Sequence, residues 1–143
     1  MKVKIRLLND DDFCDEINEL LKQLSPNACL LKTVEELRKL PILCLVGEKS
    51  GKIIAYGSLS KYYAQSRGWI TVLNDIVVHE DERGNGYGDK LMKELLEAAM
   101  RHPRTNQVEL TSHESRAAAQ GLYKKYGFAK VNTTFFCKKI PEK

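Results

Sequence analysis

The stretch Val72-Leu-Asn-Asp-Ile-Val-Val-His-Glu-Asp-Glu-Arg-Gly-Asn-Gly-Tyr-Gly-Asp-Lys-Leu-Met-Lys-Glu-Leu-Leu-Glu-Ala-Ala-Met100 decides how the rest of the chain is read. An apolar run, Val72 to Val78, is broken by a polar turn at His79 to Glu82. Arg83-Gly84-Asn85-Gly86-Tyr87-Gly88 follows, and behind it Leu91, Met92, Leu95, Leu96 and Ala99 recur with helical spacing. The reading is strand, glycine turn, helix. Such a turn exposes backbone N–H groups at the positive end of a helix, a ready seat for phosphate, and Arg83 adds a guanidinium whose fork suits phosphate oxygens. Glycines alone also serve strand-to-helix geometry. Here there is no Lys-Ser/Thr pair of a P-loop, and the glycine spacing is not that of a Rossmann turn.

The chain of 143 residues, 43% hydrophobic and 29% charged, has the size and composition of one globular domain, residues 1–143. Charges interrupt the apolar residues from Met1 to Arg6, so the start does not read as a signal peptide. No run approaches the ~20 apolar residues of a membrane span. Cys14, Cys29, Cys44 and Cys137 lack CxxC spacing and sit mostly among apolar residues, which predicts reduced core thiols in the cytoplasm. His79, His102 and His113 are too scattered for a metal centre, so no metal is expected. The net charge of +4 suits an anionic ligand, but its basic residues are interleaved with acids, which argues against nucleic acid.

Before the central stretch, Val3, Ile5 and Leu7 alternate with charges as a half-buried strand. Asn9 to Asp12 offer caps to a helix with Phe13, Ile17, Leu20, Leu21 and Leu24 on one face. Thr33 and Glu36 have capping-box spacing for a shorter second helix, which Pro41 stops. Two strands, Ile42 to Glu48 and Lys52 to Ser60, join through Lys49-Ser50-Gly51, and Gly57 marks a bulge or a close approach. Lys61 to Gly68 reads as a polar connection, and Trp69 to Val78 as the central strand. His102-Pro103-Arg104 ends the helix after the glycine turn. Gln107 to Thr111 is a further strand and Ser112 to Arg116 a turn. Ala118, Ala119, Leu122, Tyr123 and Tyr126 form a helical stripe capped at Gly127, and Phe128 to Ile140 is extended, as one bent strand or a hairpin near Asn132.

Arg83-x-x-Gly86-x-Gly88 in this context resembles the acetyl-CoA pyrophosphate loop of the GNAT N-acetyltransferase superfamily, and Ala119-x-x-Leu122-Tyr123-x-x-x-Gly127-Phe128 is similar to its segment before the last strands. The resemblance covers essentially the whole chain. It implies an α/β fold, a mixed sheet of six to seven strands flanked by about four helices. It implies an acyltransferase that moves an acetyl group from acetyl-CoA directly to a primary amine, in a ternary complex.

By position, the backbone of Ile76, Val77 and Val78 would pair with the pantetheine arm, and Arg83, Gly84, Asn85, Gly86, Tyr87 and Gly88 would hold the pyrophosphate. Tyr123 matches the tyrosine that stands near the coenzyme sulfur and protonates the leaving thiolate; a core tyrosine is the plainer reading. Asp75, an acid in an apolar strand, is a candidate base or a capping carboxylate, and burial there should raise its pKa. His113 and Glu114 are weaker candidates. Many members carry Asn seven residues before the tyrosine; here Arg116 stands there with Ser115 beside it, and either could contact the coenzyme.

Asn74-Asp75-Ile76-Val77-Val78 resembles the strand of glucosamine-6-phosphate N-acetyltransferases, but the acid those enzymes carry on the next strand aligns with Thr111. The acceptor is expected to be a small-molecule amine, with a protein or peptide amine, a sugar amine, or a non-catalytic acyl-CoA-binding module as alternatives. No membrane is expected as a partner, and a homodimer is left open.

Overall fold

The computed structural model describes residues 2–101 and 104–141. They fall into two compact units, Met1–Thr111 and Ser112–Lys143.

The first unit holds a five-stranded sheet in the order β1-β2-β3-β4-β5. The strands are β1 (Lys4–Leu7), β2 (Ile42–Lys49), β3 (Lys52–Ala64), β4 (Gly68–Val78) and β5 (Thr105–Glu109). Neighbours from β1 to β4 are antiparallel, with short turns joining β2 to β3 and β3 to β4, whereas β5 runs parallel to β4. A parallel neighbour requires a crossover, and helix α3 (Tyr87–Met100) supplies it. Helices α1 (Cys14–Leu24) and α2 (Val34–Arg38) lie between β1 and β2 in the chain.

Both faces of β3 are covered, so its residues from Ile53 to Leu59 are buried without alternation. On one face Ile17, Leu20, Leu21, Val34 and Leu37 of the first two helices pack with Val46, Ile53, Tyr56 and Val77. Gly57 points the other way, and a Cβ there would stand 2.9 Å from Leu95 Cδ1 on α3. Leu91, Met92, Leu95 and Ala99 are fully buried, the face their spacing predicts.

Asn9 to Asp12, expected to cap α1, do not provide its N-cap. The Asp12 carboxylate is held by Arg6, at 2.6 and 2.9 Å, and by Asn9 N, and Phe13, expected on the buried face of α1, becomes the uncapped N-cap and is exposed. Nor does the capping box close, because Thr33 makes no side-chain cap bond and Glu36 accepts from Lys32 N instead. The stretch Lys61 to Ala64, read as a connection, is strand: Tyr62 and Tyr63 pair with Ile70 and Trp69. Trp69 to Val78 lies within β4, second from the edge. All four cysteines are free, but Cys29 and Cys137 are exposed rather than core thiols.

The second unit holds helix α4 (Ala117–Lys125). Gly127, at φ +89°, closes it by donating to Lys124 O, as its place in the sequence predicts. The expected strands in Phe128 to Ile140 are absent among the described residues, so the sheet has five strands and not six or seven. That segment has β-forming residues without a ladder partner, and Val131, Phe135, Phe136 and Ile140 stay exposed. His102 and Pro103, read as ending α3, lie outside the described residues.

Candidate active site

The site begins with a break in register. Ser58 pairs with Asn74 and Tyr56 with Val77, so Gly57 on β3 is opposed by both Asp75 and Ile76 on β4. Asp75 takes up the extra length at φ +53°, a left-handed conformation uncommon for a residue with a side chain. A bulge ends regular pairing and re-aims what it carries. Here it carries the acid that the sequence marks as a candidate base.

Desolvation pushes the Asp75 carboxyl above the ordinary carboxylate range, although the residue remains exposed, so water moderates the rise. Its charge in turn pushes up two buried groups, Cys44 and Tyr56, whose Sγ and Oη lie 3.2 Å apart. Burial is the larger cause for both, and it keeps the Tyr56 phenol and the Cys44 thiol protonated. Ser58 stands on the same face and its hydroxyl donates, at a long 3.4 Å, to Asn74 O. Sequence reasoning missed Cys44, Tyr56 and Ser58. Their only signal was polar atoms at inward positions of two apolar strands.

Beyond the bulge, Ile76, Val77 and Val78 lead into the turn. His79 N donates to Ile54 O, and a 3-10 turn follows at Glu80–Glu82. Arg83 is exposed, and its Nε donates to Val78 O at 3.1 Å. Its Nη groups make no protein bond among the described residues. Asn85 Nδ2 donates to Glu82 O at 3.0 Å, and Lys49 neutralises Glu82 at 2.7 Å, which removes one acid from the field of the turn.

Gly84 and Gly86 have φ of +85° and +80°, and Gly86 is the N-cap of α3 with no side-chain cap. The first N–H groups of α3 therefore lack an intrahelical partner. A Cβ at either glycine would meet nothing within 4 Å, so the space beside those donors is open. This is the geometry of an anion seat. Tyr87 turns its ring away into a small core with Val3 and Ile54, and Lys49 Nζ lies 5.5 Å from the ring centre, which leaves only its backbone for a ligand.

The second unit carries the remaining candidates. Tyr123 is buried on α4, edge-on to Phe128 with ring centres 6.2 Å apart. Burial raises its pKa and Arg116 opposes the rise, so the phenol holds its proton at neutral pH. Arg116 is the N-cap of α4 and exposed, and Ser115 Oγ lies 2.8 Å from His113 Nδ1. Glu114 is exposed.

Comparison with known proteins agrees with this architecture. A curated relative, a UPF0039 protein of Schizosaccharomyces pombe, is 34% identical over 92 residues, which is 64% of this chain and 57% of that protein. The chain therefore spans little more than half the length of that relative. Among solved structures, a Trypanosoma brucei acetyltransferase superposes with a TM-score of 0.78 at 24% identity, covering 96% of this chain and 100% of that one. Glucosamine-6-phosphate N-acetyltransferase from Arabidopsis thaliana gives 0.76 at 24%, covering 99% and 100%. At these identities the structural likeness is one of fold. A model of the acetyltransferase (GNAT) family matches residues 9–128, and the chain belongs to that family.

Proposed function

We propose that the protein transfers the acetyl group of acetyl-CoA directly to a primary amine of a small molecule, in a ternary complex and in the cytoplasm, with residues 1–143 acting as one domain. The observation that carries this reading is the pair of left-handed glycines at the start of α3, with open space beside them and Arg83 next in the chain. They suit a pyrophosphate, and the bulge one turn earlier suits the thioester end of the same molecule.

In the step proposed, the amine lone pair attacks the thioester carbonyl carbon, forming an N–C bond. Asp75 takes the proton the amine must lose. As the C–S bond breaks, the Tyr123 phenol gives its proton to the departing thiolate. A backbone N–H at the bulge polarises the thioester oxygen. Ser115 and Arg116 are assigned to the coenzyme on the family resemblance alone.

Thr111, where glucosamine-6-phosphate enzymes carry an acid, favours an acceptor other than that sugar. The test is a panel of small amines, amino sugars and peptides, followed by free-thiol release from acetyl-CoA. Turnover with a small amine is expected. Turnover with peptides alone would move the acceptor to protein. Acetyl-CoA binding without thiol release from any amine would leave a non-catalytic acyl-CoA-binding module.

A further inference from the structure

Two residues of α1 reach the turn that precedes the glycine seat. Glu19 and Gln23 are four apart and so share one helix face. Glu19 Oε1 lies 3.1 Å from His79 Nε2, and Gln23 Oε1 accepts from Glu80 N at 2.9 Å.

His79 is bound at every polar atom. Its N donates to Ile54 O at 2.8 Å, and its O accepts from Glu82 N at 2.9 Å. Its Nδ1 accepts from Asp81 N at 3.1 Å, which caps the 3-10 turn. An accepting Nδ1 places the imidazole proton on Nε2, so the neutral ring donates to the Glu19 carboxylate. The turn so fixed passes directly to Arg83 and to Asn85, which itself donates to Glu82 O.

The choice of residues argues for more than packing. Capping a turn is ordinary work for Asn, Asp or Ser, whose side chains are too short to reach across to α1 as well. Histidine does both. Glu19 is half exposed and adds nothing apolar to the core, while Ile17, Leu20 and Leu21 already bury the helix. An exposed acceptor is worth little to stability. Its effect is geometric.

We propose that Glu19 and Gln23 are positioning residues for coenzyme binding, bracing through His79 and Glu80 the turn that presents Arg83 and the glycine seat to the pyrophosphate. This rests on the reading of that seat as the acetyl-CoA site, so the experiment includes a variant of the seat itself. Acetyl-CoA affinity is measured by calorimetry for the parent, Gly86→Asp, Glu19→Ala, Glu19→Gln, His79→Asn and the Glu19→Ala/His79→Asn double variant, each with its thermal midpoint.

Gly86→Asp is expected to weaken binding strongly. Glu19→Ala and His79→Asn should each weaken it about threefold to tenfold, the scale of one lost hydrogen bond, with little change in midpoint. Glu19→Gln keeps an acceptor oxygen and should bind like the parent. The double variant should be no worse than either single change, because both break the same link.

If Gly86→Asp weakens binding and Glu19→Ala does not, the brace is refuted and the seat stands. If Gly86→Asp binds like the parent, the seat is refuted and the brace with it. Additive losses in the double variant would also overturn the brace, since they would show two independent packing defects.

Discussion

Gly57 and Asp75 face each other across β3 and β4 where the ladder slips, and Asp75 takes up the extra length at φ +53°. Two residues of β4, Asp75 and Ile76, must fit against the single Gly57. On the opposite side Gly57 lets α3 approach until Leu95 leaves no room for a Cβ. The bulge and the crossover helix thus meet on either side of one missing side chain.

Gly57→Ala should therefore be costly. The new Cβ would stand 2.9 Å from Leu95 Cδ1, and Leu95 is fully buried, so the helix must give way. Overpacking of this kind costs about 1–3 kcal/mol, readable from denaturant unfolding. Gly121→Ala is the control: an added Cβ on α4 meets nothing within 4 Å, and the change should be neutral or stabilise by about 0.5–1 kcal/mol. Equal stabilities for the two variants would show that α3 does not pack on Gly57 as described.

Asp75→Asn keeps the shape of the bulge and removes the proposed base. The parent carboxyl titrates above the ordinary carboxylate range because of desolvation, and it must be ionised to accept a proton. Rate should rise with pH through that titration. The variant should lose about 10²-fold or more between that titration and the pKa of the amine, converging with the parent in acid, where the parent carboxyl is itself protonated, and partly recovering as free amine becomes abundant at high pH. A loss that is uniform with pH would assign Asp75 to positioning, and no loss would return it to a capping role.

The glycine turn and α3 are legible in the sequence because both are local. A turn that needs left-handed backbone selects Gly84 and Gly86, and the burial of Leu91, Met92, Leu95 and Ala99 repeats with the helix. What escapes are properties of pairs distant in the chain. Gly57 announces a bulge or a close approach, and it turns out to mark both, but nothing in either strand alone says that the extra residue is Asp75. The caps expected from Asn9 to Asp12 are not made, the Asp12 carboxylate being held by Arg6, a partner from β1, and the link between Glu19 and His79 joins residues 60 apart in sequence. Tyr62 and Tyr63 extend β3 where both are exposed, so no inward–outward alternation marks them as strand. Phe128 to Ile140 shows the converse, β propensity that finds no ladder.

Asp12 gives the chain an acid-sensitive joint. The hydrogen bond from Arg6 is the main reason its pKa is lowered, and the Asp12 side chain is 7% exposed. Because the folded pKa is below the unfolded one, the stabilisation is present above about pH 4 and is lost as pH falls through the folded value. Asp12→Asn should cost about 2 kcal/mol at neutral pH, as for a hydrogen bond between charged groups, and the gap between variant and parent should close in acid. A gap that persists unchanged to low pH would show that the pair contributes by packing alone.

Tyr123→Phe tests the proposed acid. The phenol is buried on α4 and edge-on to Phe128, so a phenylalanine in its place keeps the ring contact and removes only the hydroxyl. Burial raises its pKa against the opposing charge of Arg116, which holds the proton in place across the neutral range. Removing the donor should therefore reduce turnover more than it raises the Michaelis constant for acetyl-CoA, with a loss of about 10²-fold when this proton transfer limits the rate. Because the parent phenol stays protonated from pH 6 to about 9, the deficit should be flat over that range and should narrow only where the parent tyrosine itself ionises. Turnover equal to the parent across that range would make Tyr123 a packing residue and place the acid elsewhere, water being the next candidate. A raised Michaelis constant with unchanged turnover would assign the hydroxyl to coenzyme binding instead of proton transfer.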